Sequence, residues 1–331
     1  MRKQHPNIRT GVIGVGSMGQ NHARVYNEIS NLVGVSDSNI EQGGKIAERF
    51  GIPFYQNPEE LLEKINAVSI SVPTFLHLEY AKLAASLGVN MLVEKPLSIN
   101  PEDSKKILEV AKENNVKLAV GHIERHNPVI KHAKNEIING KWGEIITLSS
   151  KRVSSYPDRI KDVGVVFDLG IHDLDIMSYL CGDSVESVFA TGGNVNSDNN
   201  EDFVSIMLKF KTGKVGYCEI NWLTPMKVRK LNINCTSSYI EMDYISQSIK
   251  KFSSEFLNLN ESNLFSTDLE IQESLADIKK EEPLKLELLD FLNSIEQDVN
   301  PLVSGQDGLD AVIIANAVLE SLNSNQKVTL S

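Results

Sequence analysis

Nothing in this chain restricts its folding more than the stretch Arg9 to Tyr26, RTGVIGVGSMGQNHARVY. An apolar run containing the β-branched residues Val12, Ile13 and Val15 breaks into Gly14-Val15-Gly16-Ser17-Met18-Gly19, after which helical spacing resumes through His22, Ala23 and Tyr26. The order is strand, tight glycine turn, helix. In such a turn Gly14 permits the bend, Gly16 lets backbone approach an anion, and Gly19 lets the helix pack closely on the strand. The anion then rests on the free N–H groups of the helix N-terminus.

Glycine-rich turns also arise for purely structural reasons, so the next unit matters. Leu32 to Ser36 reads as a second buried strand ending in Asp37, close to the spacing of about 20 residues at which an acid binds the adenosine ribose of a dinucleotide. Gly14, Gly16, Ser17, Met18, Gly19, Asp37 and Ser38 are therefore expected to bind cofactor. Serine rather than arginine after Asp37 favours NAD over NADP, because a carboxylate repels a 2′-phosphate.

Strand and helix signals then alternate. Ala67 to Val72 is a buried strand running into Pro73-Thr74 and His77, Asn90 to Glu94 runs into Lys95-Pro96, and Lys117 to Gly121 runs into His122. This alternation predicts a parallel, doubly wound α/β sheet of the Rossmann type over residues 1–123. Ligands of such sheets lie beyond the carboxyl ends of the strands, which adds Ser71, Pro73, Thr74, His77, Glu94 and Lys95 to the expected cofactor contacts. Lys95 reads either as a solvated loop residue or as an ammonium held by Pro96 beside a nicotinamide, where it would stabilise a developing alkoxide. His77 reads either as a helix-start histidine or as a site residue.

Residues 124–331 form a second expected domain. Ser184 to Ala190, Phe203 to Phe210, Val215 to Trp222, Val228 to Asn234 and Tyr239 to Tyr244 follow one another without crossover helices, which predicts an α/β domain with a largely antiparallel, open sheet. Ser253 to Glu282 is polar with weak periodicity and reads as a flexible or inserted segment. Leu284 to Ile295 and Gly308 to Leu322 read as closing helices. Before the sheet, Val165 to Met177 carries Asp168, His172 and Asp175 at i, i+4 and i+7 of a regular helix, within roughly 60° of one another on one face. Flanking carboxylates orient a histidine and favour its charged form; a solvated polar helix face gives the same pattern. One histidine without ordered cysteine ligands is a poor metal set, so no metal is expected.

Bulk properties narrow the partners. The net charge of −11 argues against nucleic acid or an anionic membrane surface. The three cysteines, Cys181, Cys218 and Cys235, are widely spaced and read as reduced thiols. The opening MRKQHPNIRT has no apolar leader core and no apolar run approaches a membrane span, so cytoplasmic residence is expected.

GVGSMG, Asp37, Pro73-Thr74 with His77, Glu94-Lys95-Pro96, and Asp168-Leu169-Gly170-Ile171-His172 with Asp175 together resemble the Gfo/Idh/MocA family of oxidoreductases along nearly the whole chain. The resemblance implies NAD-dependent oxidation of a sugar or cyclitol hydroxyl, an active site of Lys95, Asp168 and His172, and a homodimer or homotetramer formed through the open sheet. Many members carry three glycines where this chain has Val163-Gly164-Val165. Gly121 to Pro128, GHIERHNP, looks like the segment of members that oxidise UDP-N-acetylglucosamine at C3, most of which have phenylalanine in place of His126. A nucleotide-sugar diphosphate requires local positive charge, for which Arg125, Arg152, Arg159 and Lys161 are candidates, with Asn127 as a further substrate contact. An inositol or simple-sugar dehydrogenase, an NAD-dependent glycosidase and a non-catalytic nucleotide-binding protein are the alternatives.

Overall fold

The computed structural model describes residues 4–157, 163–196, 200–256 and 269–330. They form two compact units. The first comprises residues 1–126 and 281–313, the second 127–280 and 314–331.

In the first unit the chain runs β1 (His5–Ile13), α1 (Gly19–Ile29), β2 (Ser30–Ser36), α2 (Ile40–Phe50), β3 (Phe54–Tyr55), α3 (Pro58–Leu62), β4 (Ala67–Ile70), α4 (His77–Ser86), β5 (Asn90–Glu94), α5 (Pro101–Glu113) and β6 (Leu118–Gly121). The six strands pair in parallel in the order β3-β2-β1-β4-β5-β6. The order reverses between β1 and β4, so the crevice opens at the carboxyl ends of these two strands. β4 is buried throughout, as a strand covered on both faces must be. Asn39, Asn57 and Asn100 cap the N-termini of α2, α3 and α5 with their side chains, and Gly51 ends α2 in the left-handed conformation.

The second unit begins with α6 (Pro128–Ile138), β7 (Ile145–Val153) and α7 (Ile171–Cys181). It continues through β8 (Val185–Gly193), β9 (Phe203–Phe210), β10 (Val215–Asn221), β11 (Val228–Cys235), β12 (Tyr239–Asp243), β13 (Ser248–Phe256) and β14 (Leu269–Leu275). With the short β15 near the C-terminus, Val328–Thr329, nine strands make one sheet in the order β14-β13-β12-β11-β7-β10-β9-β8-β15. Every pair is antiparallel except β7 with β10. The strands alternate cleanly, Val204, Ile206, Leu208 and Phe210 of β9 facing inward while Ser205, Met207 and Lys209 face outward.

Two expectations change here. Ser253 to Glu282, read as a flexible insertion, contains the end of β13 and all of β14, which pair from Lys250 with Leu275 to Phe256 with Leu269; residues 257–268 lie outside the described residues. This edge hairpin has Ile271 and Leu275 exposed, so it lacks the inward-apolar alternation that marks a buried strand. The closing helices form as expected, α8 (Pro283–Glu296) and α9 (Gly305–Ser324). However, residues 281–313 pack with the first unit and not with the rest of 124–331. Leu288, Phe291 and Leu292 of α8 join Val12, Ala23 and Tyr26 in one core, each large apolar side chain contributing about 1.5–3 kcal/mol by leaving water. Val120 N–H bonds to Val303 at 3.2 Å, extending the sheet edge. No described helix is long and apolar enough to cross a membrane.

Candidate active site

The glycine turn has the local geometry the sequence demands. Gly14 sits at φ +83°, and a Cβ there would lie 2.7 Å from Val72 N. At Gly19 a Cβ would come within 1.8 Å of the Gly14 carbonyl oxygen, whereas nothing lies within 4 Å of one at Gly16. Gly16 and Ser17 are exposed, Met18 stands at the start of α1 with no side-chain cap, and no acid occupies the first helical turn. The helix therefore presents uncompensated N–H groups and their partial positive charge toward an open space, which fits a pyrophosphate.

Asp37 lies directly beside the turn. Its Oδ2 accepts from Val15 N and its Oδ1 from Asn39 N, both at 2.7 Å, while Ser38 is exposed. Ser71 Oγ donates to the Gly14 carbonyl at 3.0 Å, tying the end of β4 to the turn, and the chain then passes through Pro73 into a 3-10 turn at Thr74–Leu76. His77 is buried, with Nδ1 3.0 Å from Pro96 O and Nε2 3.0 Å from Val72 O. Burial pushes its pKa down against these carbonyls and Glu94. His77 thus braces the loop after β4 against the loop after β5. Glu94 is buried at the end of β5, and half-buried Lys95 follows it at a cis peptide bond to Pro96. Asp37, Ser71 to Thr74 and Glu94-Lys95 accordingly share the carboxyl edge of one sheet, the edge that holds dinucleotides in such folds.

Arg125 is buried in the same unit, its Nη1 2.9 Å from Asp307 Oδ1. Burial raises the Asp307 carboxyl, but Arg125 and Ser304 outweigh it and hold the group below the usual range. The partner comes from α9, far along the sequence, which local reading does not reveal.

In the second unit Asp168 lies in a π turn, Val166–Gly170, that precedes α7. The regular helix inferred from apolar spacing therefore does not extend through Asp168. Asp168 and His172 are half-buried, and His172 Nδ1 is buried, while Asp175 is 2% exposed within the core. Such turns recur at functional sites because they re-aim side chains. Gly164, the one glycine kept at the position of the family's three, admits Glu201, whose carboxylate would meet a Cβ at 2.1 Å and which accepts from Val166 N at 3.0 Å.

Asp168 and Leu169 line a cleft of about 280 Å³ with Tyr156, Trp222, Lys227 and Arg229. Tyr156 and Trp222 meet edge to face at 5.6 Å. Local sequence does not mark these four residues, because they converge through the pairing of β7 with both β10 and β11, which places Asn221 and Val228 opposite Val153 and Arg229 opposite Arg152. Of the expected cationic contacts, Arg152 is buried against Asp173, and Arg159 and Lys161 lie outside the described residues. Asn127 caps α6, accepting from Val129 N at 3.3 Å and donating to Tyr244 O at 3.2 Å.

Comparison with known proteins agrees with this layout. Residues 8–122 match an oxidoreductase family with an NAD-binding Rossmann fold, and residues 130–241 match the GFO/IDH/MocA C-terminal domain. UDP-N-acetylglucosamine 3-dehydrogenase of Acidithiobacillus ferrooxidans is 29% identical over 288 residues, 87% of this chain and 88% of that protein. A solved structure of that enzyme superposes with a TM-score of 0.86 at 28% identity, covering 96% of this chain and 98% of the other. Myo-inositol 2-dehydrogenase of Thermotoga maritima is 26% identical over 338 residues, 98% of each. Matched over more than half of its length, in both domains and in the expected order, this chain belongs to the Gfo/Idh/MocA family of NAD-binding oxidoreductases.

Proposed function

We propose that this oxidoreductase oxidises a secondary hydroxyl of a nucleotide sugar, C3 of UDP-N-acetylglucosamine, to the 3-keto sugar. The observation that carries the substrate is the 29% identity to an enzyme of that activity over 87% of this chain. The cleft beside Asp168 supports it: Lys227 supplies a cation for phosphate, and Tyr156 with Trp222 supplies apolar surface for a ring.

Gly14 to Gly19, Asp37, Ser71 and Thr74 would hold NAD, which when bound accepts a hydride at its nicotinamide. His172 takes the hydroxyl proton at Nε2, a general-base role worth about 10²- to 10⁴-fold. Asp168 orients the imidazole for that transfer. Lys95 donates a hydrogen bond to the reacting oxygen and stabilises the charge that develops there.

The decisive experiment follows NADH formation with purified protein and UDP-N-acetylglucosamine, myo-inositol or glucose 6-phosphate. Turnover confined to the nucleotide sugar is expected. Turnover of myo-inositol alone would replace this reading with that of a cyclitol dehydrogenase, which the 98% coverage of the inositol enzyme favours.

The open face of the second sheet is proposed as the surface of a homodimer or homotetramer. Phe189 pairs across the strands with Met207, and Met207 with Tyr217, giving a row of side chains 42%, 47% and 42% exposed. Such a contiguous apolar row marks an interaction surface.

A further inference from the structure

The first unit contains a buried polar cluster that the chemistry above leaves unused. His22, fully buried on α1 just past the glycine turn, has Nδ1 2.9 Å from Ser69 Oγ and Nε2 2.8 Å from Glu94 Oε1. Ser69 Oγ also meets Tyr26 OH at 2.9 Å. Glu94 Oε2 accepts from the backbone N–H of Lys95 at 3.1 Å. From α8, Glu287 brings a further titratable group, 2% exposed, with both carboxyl oxygens buried and no hydrogen-bond partner among the described residues. One atom each of His22, Glu94 and Glu287 lie within 4.8 Å of one another.

We propose that His22, Glu94 and Glu287 are positioning residues for Lys95. The proposal rests on the reading of Lys95 as the group that faces the substrate hydroxyl. Glu94 is the centre of the cluster, because its two oxygens join different things: one the cofactor helix through His22, the other the peptide that carries Lys95. The cluster thereby locks the end of β5 to the helix that begins at the pyrophosphate turn, and holds both in one register.

The charges support this division of labour. Burial disfavours an ionised Glu94, but His22 and Lys95 more than offset it and keep the carboxylate below the usual range. Burial, with Glu94 and Asp290 nearby, pushes Glu287 well above it. The groups facing Glu287 are Glu94 from β5, His22 and Tyr26 from α1, and Asp290 on its own helix. Two carboxylates this close in a dry interior do not both ionise. Glu287 is therefore the protonated member. A neutral carboxyl beside Glu94 adds no second negative charge to compete for His22 and Lys95.

The test uses full-length E94Q, E287A and E287Q, each checked for folding by thermal unfolding, with K95A alongside. E94Q and E287A are expected to lower kcat by about 10- to 10²-fold, as a misplaced catalytic group does, while KM for NAD stays within about threefold. E287Q, isosteric with the neutral acid, is expected to recover most of the activity lost in E287A. Infrared difference spectra should show the carbonyl band of a buried protonated carboxyl in wild type and not in E287Q. An inactive K95A beside fully active E94Q and E287A would remove this proposal alone, and an active K95A would remove the reading of Lys95 and this proposal together. Stoichiometric divalent metal in the purified protein, lost in E287Q, would replace the proton with an ion and overturn the account.

Discussion

Arg152 donates to Asp173 through two hydrogen bonds, Nε to Oδ2 at 2.7 Å and Nη2 to Oδ1 at 3.2 Å, and the two side chains are 3% and 1% exposed. Arg152 also lies over the Tyr244 ring at 5.1 Å. A guanidinium so engaged is neutralised within the protein. Removing one partner leaves the other charge buried, a loss of about 3–5 kcal/mol. R152M is therefore expected to lower the unfolding free energy measured by urea titration by that much. A change below about 1 kcal/mol together with a raised KM for substrate would instead make Arg152 a substrate contact.

His172 carries the heaviest chemical claim. H172A is expected to lower kcat by about 10²-fold or more, with NAD affinity unchanged in fluorescence titration. A loss smaller than about tenfold would remove it as the base.

Asp37 is expected to set cofactor choice. Its carboxylate is held by Val15 N and Asn39 N beside the turn, where a 2′-phosphate would meet like charge. D37S should lower kcat/KM with NAD by about 10-fold or more, the size of a lost charged hydrogen bond, and narrow the preference against NADP. Equal use of both cofactors by the wild type would refute this assignment.

Glu287 makes stability depend on pH in a stated direction. Its folded-state value is raised above the ordinary 4.5, first by burial and then by Glu94 and Asp290. The folded protein thus holds the proton more tightly than the unfolded chain, so the contribution is complete below 4.5 and disappears as pH rises through the folded value. Wild type should lose stability relative to E287Q on alkalinisation. Parallel stability curves for the two proteins would show that Glu287 is not the titrating group.

The sheet face gives a prediction about assembly. M207E places a charge between Phe189 and Tyr217 and is expected to convert the proposed homo-oligomer to monomers in light scattering, with unfolding temperature little changed because the side chain already faces outward. An unaltered mass would move the interface elsewhere.

Much of this molecule is legible along the chain because its signals are local. Gly14, Gly16 and Gly19 act within one turn, and Asp37 and Lys95 stand immediately after strands whose apolar runs announce them. The same locality explains the misreadings. A π turn preserves apolar spacing on either side, so Val165 to Met177 reads as one helix although Asp168 lies before α7. The edge strand β14 leaves Ile271 and Leu275 exposed and so shows no inward-apolar alternation, which is why it reads as part of an insertion.

The sequence alone determines the parallel α/β unit, its glycine turn, its NAD-type carboxylate and the family, since each depends on residues adjacent in the chain and on periodicities of 2 and 3.6. Only the tertiary structure decides that residues 281–313 return to the first unit, that Glu287 sits beside Glu94 and His22, that Arg152 belongs to Asp173, and that Tyr156, Trp222 and Lys227 share a cleft with Asp168. These relations are between residues tens to hundreds of positions apart. They are selected by burial and charge in three dimensions, a balance no local pattern records.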